Sequence, residues 1–223
     1  YQTYLADEII PFVDDQFQTI PEREARAIVG RSSGGFGALR LGMDRPDRVS
    51  VIGSHAGDAG FEVSMRPMLT SAAIAFDQAG GVRAFAEEVP KQGPNGASQF
   101  DAIFVLAAAA AYSPSPSEFP FAELPVDPGT GELRSSSWVR WLEHDPLRRI
   151  DASTAALQRM SLIYVDAGSR DEHGLHFAAR MLAKALSERE LPVQYEEYEG
   201  GHRGTSWRYE VSLPQIVEAL RGS

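Results

Sequence analysis

The chain begins with apolar residues at the spacing of one helix face, namely Leu5, Ile9, Phe12, Val13 and Phe17. This period predicts an amphipathic helix over residues 3–18, which continues through Pro11. A short apolar run at 25–29 then predicts a buried strand, and another at 49–55 predicts a second strand. Between these strands, the apolar residues of 36–43 predict a further helix. Strand, helix and strand therefore follow one another directly.

The same alternation returns near the end of the chain. Apolar patterns predict a strand at 161–167, a helix at 175–189, a strand at 193–198 and a final helix at 206–221. Strands that alternate with helices favour a parallel sheet covered on both sides. Because crossovers of this kind are right-handed, we predict a doubly wound α/β core.

Residues 62–159 interrupt this alternation. They contain Ala-rich helical segments, a Pro- and Ser-rich loop and a turn, with no strand pattern. Such a block is too long for an ordinary connection. We predict a cap, 62–159, inserted into a core that consists of residues 1–61 and 160–223. Because it would leave the sheet at the carboxyl edge of a strand, we expect it to wall the pocket there.

Composition narrows the classes of function. The 223 residues are 43% hydrophobic, which is enough for one sizeable core. A formal net charge of −10 disfavours nucleic acid and anionic lipid as partners. Cysteine is absent, so disulfides, thiolate metal sites and a cysteine nucleophile are excluded. The longest apolar stretch, 103–112, is far shorter than the roughly 20 residues that span a bilayer, so we expect no membrane span.

The strongest chemical signal is the segment AIVGRSSGGFGAL at 27–39. It contains G-x-S-x-G, with Ser32 at the centre, between a predicted strand and a predicted helix. A sharp turn of this kind brings strand and helix close together, so glycine is expected at both Gly30 and Gly34. Ser32 Oγ would then stand at a helix N-terminus, where backbone N–H groups favour developing negative charge. The alternative is a glycine-rich turn without chemistry.

A serine nucleophile needs a base and a carboxylate that orients the base. His202 follows the strand at 193–198, and Asp171 follows the strand at 161–167, which gives the order serine, acid, histidine. Asp166 still lies within its strand, so we predict a structural role for it, and Glu172 is the other carboxylate of the loop. Asp171 would equally serve as the N-cap of the next helix.

Other residues near these strands are candidates for substrate binding. His55 ends the strand at 49–55, on the same sheet edge as Ser32, and is a candidate for the pocket lining. Arg31 and Trp207 are further candidates for substrate contacts. The remaining histidines favour structural or solvated roles: His144, His173 and His176. No spacing of residues suggests a metal site, and we expect no cofactor.

Three segments carry a resemblance to a known family. They are IVGRSSGGFGALRLGMDRPDRVSVIGSHAGD, YVDAGSRDEHGLHFAARMLAKAL and YEGGHRGTSWRYEVSLPQIVEAL, which together cover roughly half of the chain. With them, the chain resembles the "Putative esterase" family of α/β-hydrolases. That family includes esterase D (S-formylglutathione hydrolase), feruloyl esterases, enterochelin-type esterases and the antigen 85 mycolyltransferases.

The resemblance implies an α/β-hydrolase fold with Ser32 as nucleophile, Asp171 as acid and His202 as base. It also implies that the backbone N–H of Ser33 forms half of the oxyanion hole. Many members have methionine where this chain has Ser33, a change that leaves the backbone donor in place. The inserted block matches no substrate motif of the family.

These observations predict a serine hydrolase that cleaves small-molecule carboxylic esters through an acyl-enzyme. An acyltransferase would use the same triad with a sugar hydroxyl in place of water. From another class, a catalytically inactive α/β-hydrolase-fold binding protein would keep the fold alone. A peptidase is less favoured, because no propeller domain or acidic pair for a peptide amine is recognisable. The sequence does not predict an oligomeric state.

The position of the sharp turn at Ser32, called the nucleophile elbow, raises a further expectation. Hydrolases of this fold place the elbow strand as the fifth of about eight strands. Ser32 follows only one predicted helix and one strand, so we expect the preceding strands and the second oxyanion donor upstream of Tyr1. Residues 1–20 contain no signal-peptide pattern, and any signal peptide is also expected upstream, which leaves the compartment open.

Overall fold

The computed structural model describes residues 1–117 and 119–222. A π-helical segment at Tyr4–Ile9 leads into the first helix, and a 3-10 turn at Arg23–Ala25 precedes the first strand. The elements of the first part are α1 (Ile10–Gln16), β1 (Ala27–Arg31), α2 (Ser33–Asp44), β2 (Val51–His55), α3 (Phe61–Ser64), α4 (Arg66–Gln78), α5 (Val82–Gln92) and α6 (Ala97–Tyr112). The remaining elements are α7 (Ser135–Leu142), α8 (Pro146–Leu157), β3 (Leu162–Gly168), α9 (Leu175–Ser187), β4 (Val193–Tyr198) and α10 (Arg208–Arg221).

Contacts divide the chain into two compact units. Unit 1 comprises residues 1–60 and 146–223, and unit 2 comprises residues 61–145. The boundary differs from the predicted cap, 62–159, at its C-terminal end. There, α8 packs against α2 and α9 and therefore belongs to unit 1. The expectation that the inserted block walls a pocket stays a prediction.

Unit 1 is built on a four-stranded sheet in the order β1-β2-β3-β4, and all the pairings are parallel. The predicted parallel sheet is therefore confirmed. Strands β2 and β3 are neighbours in the sheet although the whole of unit 2 lies between them in the chain. Every residue of β2 is buried, which explains why its sequence is apolar apart from Ser54 and His55.

Helices cover both faces of this sheet. Adjacent residues of a strand point to opposite faces. In β2, Ile52 lies against Gly42 of α2, whereas the next residue, Gly53, lies against Ile216 of α10. Helices α8 and α9 add to the α2 side, where the main hydrophobic core of the unit is found. The strands thus direct their carboxyl ends to one edge, between the two helical layers.

The N-terminal helix is present, but its apolar face is only partly buried. Leu5 packs against the core, whereas Phe12 is 59% exposed and Phe17 is 64% exposed. Ion pairs hold this segment instead: Asp7 with Arg45 and Arg48, and Asp14 with Arg26. The predicted helix is therefore present, and the apolar side chains in the C-terminal half of the segment are exposed.

Unit 2 is helical, with two isolated antiparallel bridges at Pro114–Ala122 and Val126–Leu133. Helix α4 packs against α6, and small alanine side chains of α6 allow this close contact. Trp141 is fully buried and its indole N–H donates to Ser113 Oγ at 2.9 Å, which satisfies its polar group. Within the described ranges, no helix has the length and apolar character needed to cross a membrane.

Candidate active site

The turn between β1 and α2 holds Ser32 in a strained conformation. Its backbone has φ 57° and ψ −125°, a region that residues other than glycine rarely adopt. The N–H of Ser32 donates to the carbonyl of His55 at 2.9 Å, so the sheet ladder continues as far as the turn. The carbonyl of Ser32 accepts the first helical hydrogen bond of α2, from Phe36 N–H. Ser32 therefore stands between the end of a strand and the beginning of a helix.

Glycine is required at the turn at one of the two predicted positions, Gly30, and at a neighbouring position, Gly35. A Cβ on Gly30 would lie 2.2 Å from the carbonyl oxygen of Gly34, which confirms the need for glycine there. A Cβ on Gly34 would meet no atom of the described residues within 4 Å, so the second expected requirement was wrong. The crowded position is Gly35, where a Cβ would lie 2.8 Å from Gly57 Cα and 2.9 Å from Ser54 Oγ.

Replacement of Gly35 by alanine is expected to lower the free energy of unfolding by about 1–3 kcal/mol, because the new methyl group overlaps the backbone of Gly57. The matched control is Gly37→Ala in the same helix, where the added Cβ meets no atom of the described residues. That control should be neutral or stabilising by up to about 1 kcal/mol through helix propensity. Urea unfolding of the two variants measures the difference, and equal stabilities would contradict the expected crowding.

Three predicted residues lie in one hydrogen-bonded row. Ser32 Oγ lies 3.1 Å from His202 Nε2, and His202 Nδ1 lies 2.8 Å from Asp171 Oδ2. The loops after β1, β3 and β4 supply the three side chains, since parallel strands end at the same edge. His202 and Asp171 are buried. This is the arrangement of a nucleophile, a base and an orienting carboxylate.

Asp171 is held as a carboxylate by several donors. Its Oδ1 accepts the backbone N–H of His173 at 2.9 Å and that of Leu175 at 3.4 Å, while Oδ2 faces His202. Burial alone would raise the pKa of Asp171, but the hydrogen bonds from His202 and from these backbone groups outweigh it and lower the pKa. Asp171 is therefore not the N-cap of α9, which is Gly174, although its carboxylate accepts the N–H of Leu175, the first residue of that helix.

The backbone of His202 is fixed from both sides. Glu172 Oε2 accepts the His202 N–H at 2.7 Å, and Arg31 donates to the His202 carbonyl at 2.6 Å. The hydrogen bond from His202 lowers the pKa of Glu172. Gly168 lets the loops approach, because a Cβ there would lie 2.5 Å from the carbonyl oxygen of Gly200. Arg31, predicted as a substrate contact, thus has a partner within the protein.

His55 does not line an open surface. It is 2% exposed, and its Nδ1 lies 2.9 Å from Asp166 Oδ1, while Ser212 Oγ lies 3.1 Å from its Nε2. Arg208 forms a buried ion pair with Asp166 at 2.8 Å and pairs also with Glu196. The expected pocket role of His55 is corrected to a structural one, because both ring nitrogens are occupied inside the core. Asp166 lies in the same buried network.

Two further predicted residues lie near the triad loops. Trp207 is partly exposed and packs edge-on against Tyr198, with the Arg208 guanidinium over its ring, and no described contact tests its role with substrate. Ser33 is exposed at the first position of α2. His173 packs edge-on against His202, with ring centroids 4.9 Å apart.

Sequence reasoning missed Asp58, a buried carboxylate in the loop that follows β2. The signal was present, since a carboxylate directly after a core strand lies at the edge where the triad assembles. Among the described residues, no cluster of three or more His, Asp or Glu side chains is placed to hold a metal ion.

Comparisons with known proteins show what this chain is similar to. Esterase Rv1288 of Mycobacterium tuberculosis (strain ATCC 25618 / H37Rv) is 32% identical over 59 residues, which are 26% of this chain and 13% of that protein. A ferulic acid esterase structure has a TM-score of 0.57 at 18% identity and covers 99% of this chain and 61% of its own. The S-formylglutathione hydrolase FrmB of Staphylococcus aureus has a TM-score of 0.55 at 16% identity, with 99% and 63% covered.

The two structures show the fold, which is that of the α/β-hydrolases, as predicted. The chain spans less than two thirds of either structure, and a small fraction of the curated relative. The model of the family described as "Putative esterase" matches residues 1–220. The chain therefore belongs to this esterase family.

Proposed function

We propose that this protein is a serine esterase that hydrolyses small-molecule carboxylic esters through an acyl-enzyme. The observation that carries the proposal is the continuous row from Ser32 Oγ to His202 Nε2 at 3.1 Å and from His202 Nδ1 to Asp171 Oδ2 at 2.8 Å. A serine hydroxyl is a weak nucleophile unless a base removes its proton, and this row supplies the base and its orienting group.

In the first half of the reaction, Ser32 Oγ attacks the ester carbonyl and passes its proton to His202 Nε2. The imidazolium that forms is stabilised by the Asp171 carboxylate, which also keeps the ring in the correct tautomer. His202 then gives the proton to the departing alkoxide, and the acyl group remains on Ser32. In the second half, His202 takes a proton from water, and the water oxygen attacks the acyl carbon. The bond between the acyl carbon and Ser32 Oγ then breaks, His202 gives its proton to Ser32 Oγ, and the acid is released.

The negative charge on the carbonyl oxygen needs donors that are already in place. The backbone N–H of Ser33 is the first donor of α2 and points from the helix N-terminus, where the helix dipole also favours an anion. We assign this N–H to the oxyanion hole. No metal or cofactor takes part in these steps.

The proposal is tested by labelling with a fluorophosphonate probe, which reacts with an activated serine. The folded protein is expected to form a single adduct, located by peptide mass spectrometry on Ser32. Heat-unfolded protein is the control and should not react, because activation depends on the placement of His202. Failure of the folded protein to react would contradict the proposal, and an adduct on Ser33 would show that the nucleophile is misassigned.

The group that accepts the acyl chain from Ser32, either water or another hydroxyl, is tested separately, with a chromogenic ester and increasing amounts of a sugar or simple alcohol. For an esterase, we expect the released acid to match the released alcohol in amount at every acceptor concentration. Loss of the acid in favour of a transferred ester would instead favour an acyltransferase that uses the same residues.

A further inference from the structure

His202, the proposed base, lies in a glycine-rich loop between β4 and α10. Gly200 and Gly201 precede it, and Gly204 follows it. Glycine has the greatest backbone freedom of all residues, so such a loop does not fix its own conformation. Among the backbone–backbone hydrogen bonds that residues 1–117 and 119–222 form, none involves the N–H or the carbonyl of His202. The position of its main chain therefore depends on contacts with side chains.

Two pairs of consecutive residues make these contacts. In the loop after β3, Asp171 Oδ2 lies 2.8 Å from the ring Nδ1 of His202, and Glu172 Oε2 accepts the backbone N–H of His202 at 2.7 Å. At the end of β1, Ser32 Oγ lies 3.1 Å from the ring Nε2, and Arg31 donates to the backbone carbonyl at 2.6 Å. Each pair therefore contacts both the ring and the main chain of the base.

The two side chains that hold the main chain are charged and exposed. Glu172 and Arg31 both lie at the surface of unit 1. Exposed charges add little to the stability of a fold, whereas a hydrogen bond to a charged group is stronger than one between neutral groups. Thr205 Oγ1 also lies 3.5 Å from the His202 carbonyl, which is a longer contact. Removal of Glu172 or Arg31 is therefore expected to act on His202 and to leave the core intact.

The loop leaves space for the Glu172 contact. A Cβ on Gly201 would lie 2.8 Å from Glu172 Oε2, so a larger residue there would displace the carboxylate. Glycine beside the base thus lets the carboxylate reach the N–H of His202. The next residue, His173, packs its ring against the His202 ring at an interplanar angle of 88°. Residues 171–173 therefore all contact the base, each in a different way.

We propose that Glu172 and Arg31 are positioning residues, which hold the main chain of His202 where its ring reaches the nucleophile and the acid at the same time. The inference rests on the proposed serine-esterase function. The ring makes one hydrogen bond at each nitrogen, so a shift of the main chain lengthens at least one of them. A misplacement of about 1 Å costs about 100-fold in rate. Arg31, expected from the sequence to contact substrate, acts in this proposal through the base.

The first test compares two replacements of Glu172 by steady-state kinetics with a chromogenic ester. Glu172→Ala removes the acceptor of the His202 N–H, so kcat should fall about tenfold or more while KM stays within about twofold. Glu172→Gln removes the charge but keeps an acceptor oxygen, so its kcat should stay within about threefold of that of the unmodified protein. A loss as large in Glu172→Gln as in Glu172→Ala would show that the charge of Glu172 matters, and not the position of His202, which overturns the proposal.

Arg31→Ala tests the contact with the His202 carbonyl. Its kcat should also fall about tenfold or more with KM within about twofold, because the longer contact from Thr205 is the one that remains among the described contacts of this carbonyl. A raised KM with an unchanged kcat would show that Arg31 contacts substrate, which overturns its assignment. The same variant decides the proposal if Glu172→Ala does not fold.

A spectroscopic readout separates position from stability. The proton on His202 Nδ1, which faces Asp171, gives its own resonance in the proton NMR spectrum. We expect this resonance to shift or broaden in Glu172→Ala and in Arg31→Ala, and to stay in place in Glu172→Gln. A lower midpoint of urea unfolding together with an unmoved resonance and an unchanged kcat would show that the two side chains only support the fold, which overturns the proposal.

The matched control is Glu199→Ala. Glu199 is an exposed carboxylate at the end of β4, near His202 in the chain, and it pairs with Arg170 at 2.7 Å. Its kcat, KM and Nδ1 proton resonance should equal those of the unmodified protein. A loss of kcat as large as that of Glu172→Ala would show that any change in this loop impairs the enzyme, which contradicts a specific role for Glu172. Failure of the serine-esterase function is distinguishable, because the unmodified protein would then form no fluorophosphonate adduct on Ser32.

Discussion

Replacement of Ser32 by alanine is expected to reduce ester hydrolysis by about 10⁴-fold or more, while the fold stays intact. The loss is large because, among the described contacts, Ser32 Oγ is the oxygen within hydrogen-bond distance of His202 Nε2, at 3.1 Å. Alanine also loses no hydrogen bond of the turn, since the turn itself uses the backbone N–H and carbonyl of Ser32. Initial rates with a chromogenic ester, together with urea unfolding, measure both parts of the result.

Ser33→Ala is the matched control, because it removes the neighbouring hydroxyl and leaves the backbone donor. We expect at most about a tenfold loss from it, far less than from Ser32→Ala. An inactive Ser33→Ala variant together with an active Ser32→Ala variant would show that Ser33, and not Ser32, is the nucleophile.

Replacement of Asp171 by asparagine is expected to cost about 10³- to 10⁴-fold in turnover. The amide cannot stabilise the imidazolium, and it can donate to Nδ1, which would favour the tautomer that no longer accepts the Ser32 proton. The backbone donors at His173 and Leu175 still hold one oxygen in place, so the loop should keep its conformation. Steady-state kinetics at a pH above the acid limb measures the loss in kcat.

Asp166→Asn is the control for a buried carboxylate elsewhere at the sheet. It removes the charge that pairs with Arg208 at 2.8 Å, and we expect it to lower the free energy of unfolding by about 3 kcal/mol. Its turnover, measured where the variant is folded, should stay within about tenfold. The assignment of the acid would be wrong if Asp166→Asn lost turnover and Asp171→Asn did not.

The parallel sheet and the row of Ser32, Asp171 and His202 could be predicted from the sequence, and the reason is topological. Each residue lies in the turn or loop that follows a strand predicted from the sequence, and parallel strands bring their carboxyl ends to one edge. Residues far apart in the chain can therefore be predicted to be neighbours before the packing of the side chains is known. The order of the three residues along the chain, which is serine, acid and histidine, then indicated the role of each.

The roles of Gly35 and His55 could not be predicted in the same way. Each depends on what lies opposite in space: the Gly57 backbone against Gly35, and Ser212 against His55. The exposure of Phe12 and Phe17 in the predicted N-terminal helix could not be predicted for a related reason. Periodicity identifies a helix face, but it does not show whether another element covers that face.

The insertion of unit 2 between two neighbouring strands has a consequence for chain entropy. Paired residues of β2 and β3, such as His55 and Asp166, are 111 residues apart, whereas β1 and β2 are joined through α2 alone. The entropy of closing a loop rises only with the logarithm of its length, and each doubling costs about 0.6 kcal/mol. The connection between β2 and β3 is therefore a place where this fold accommodates a whole additional unit with little decrease in the free energy of unfolding.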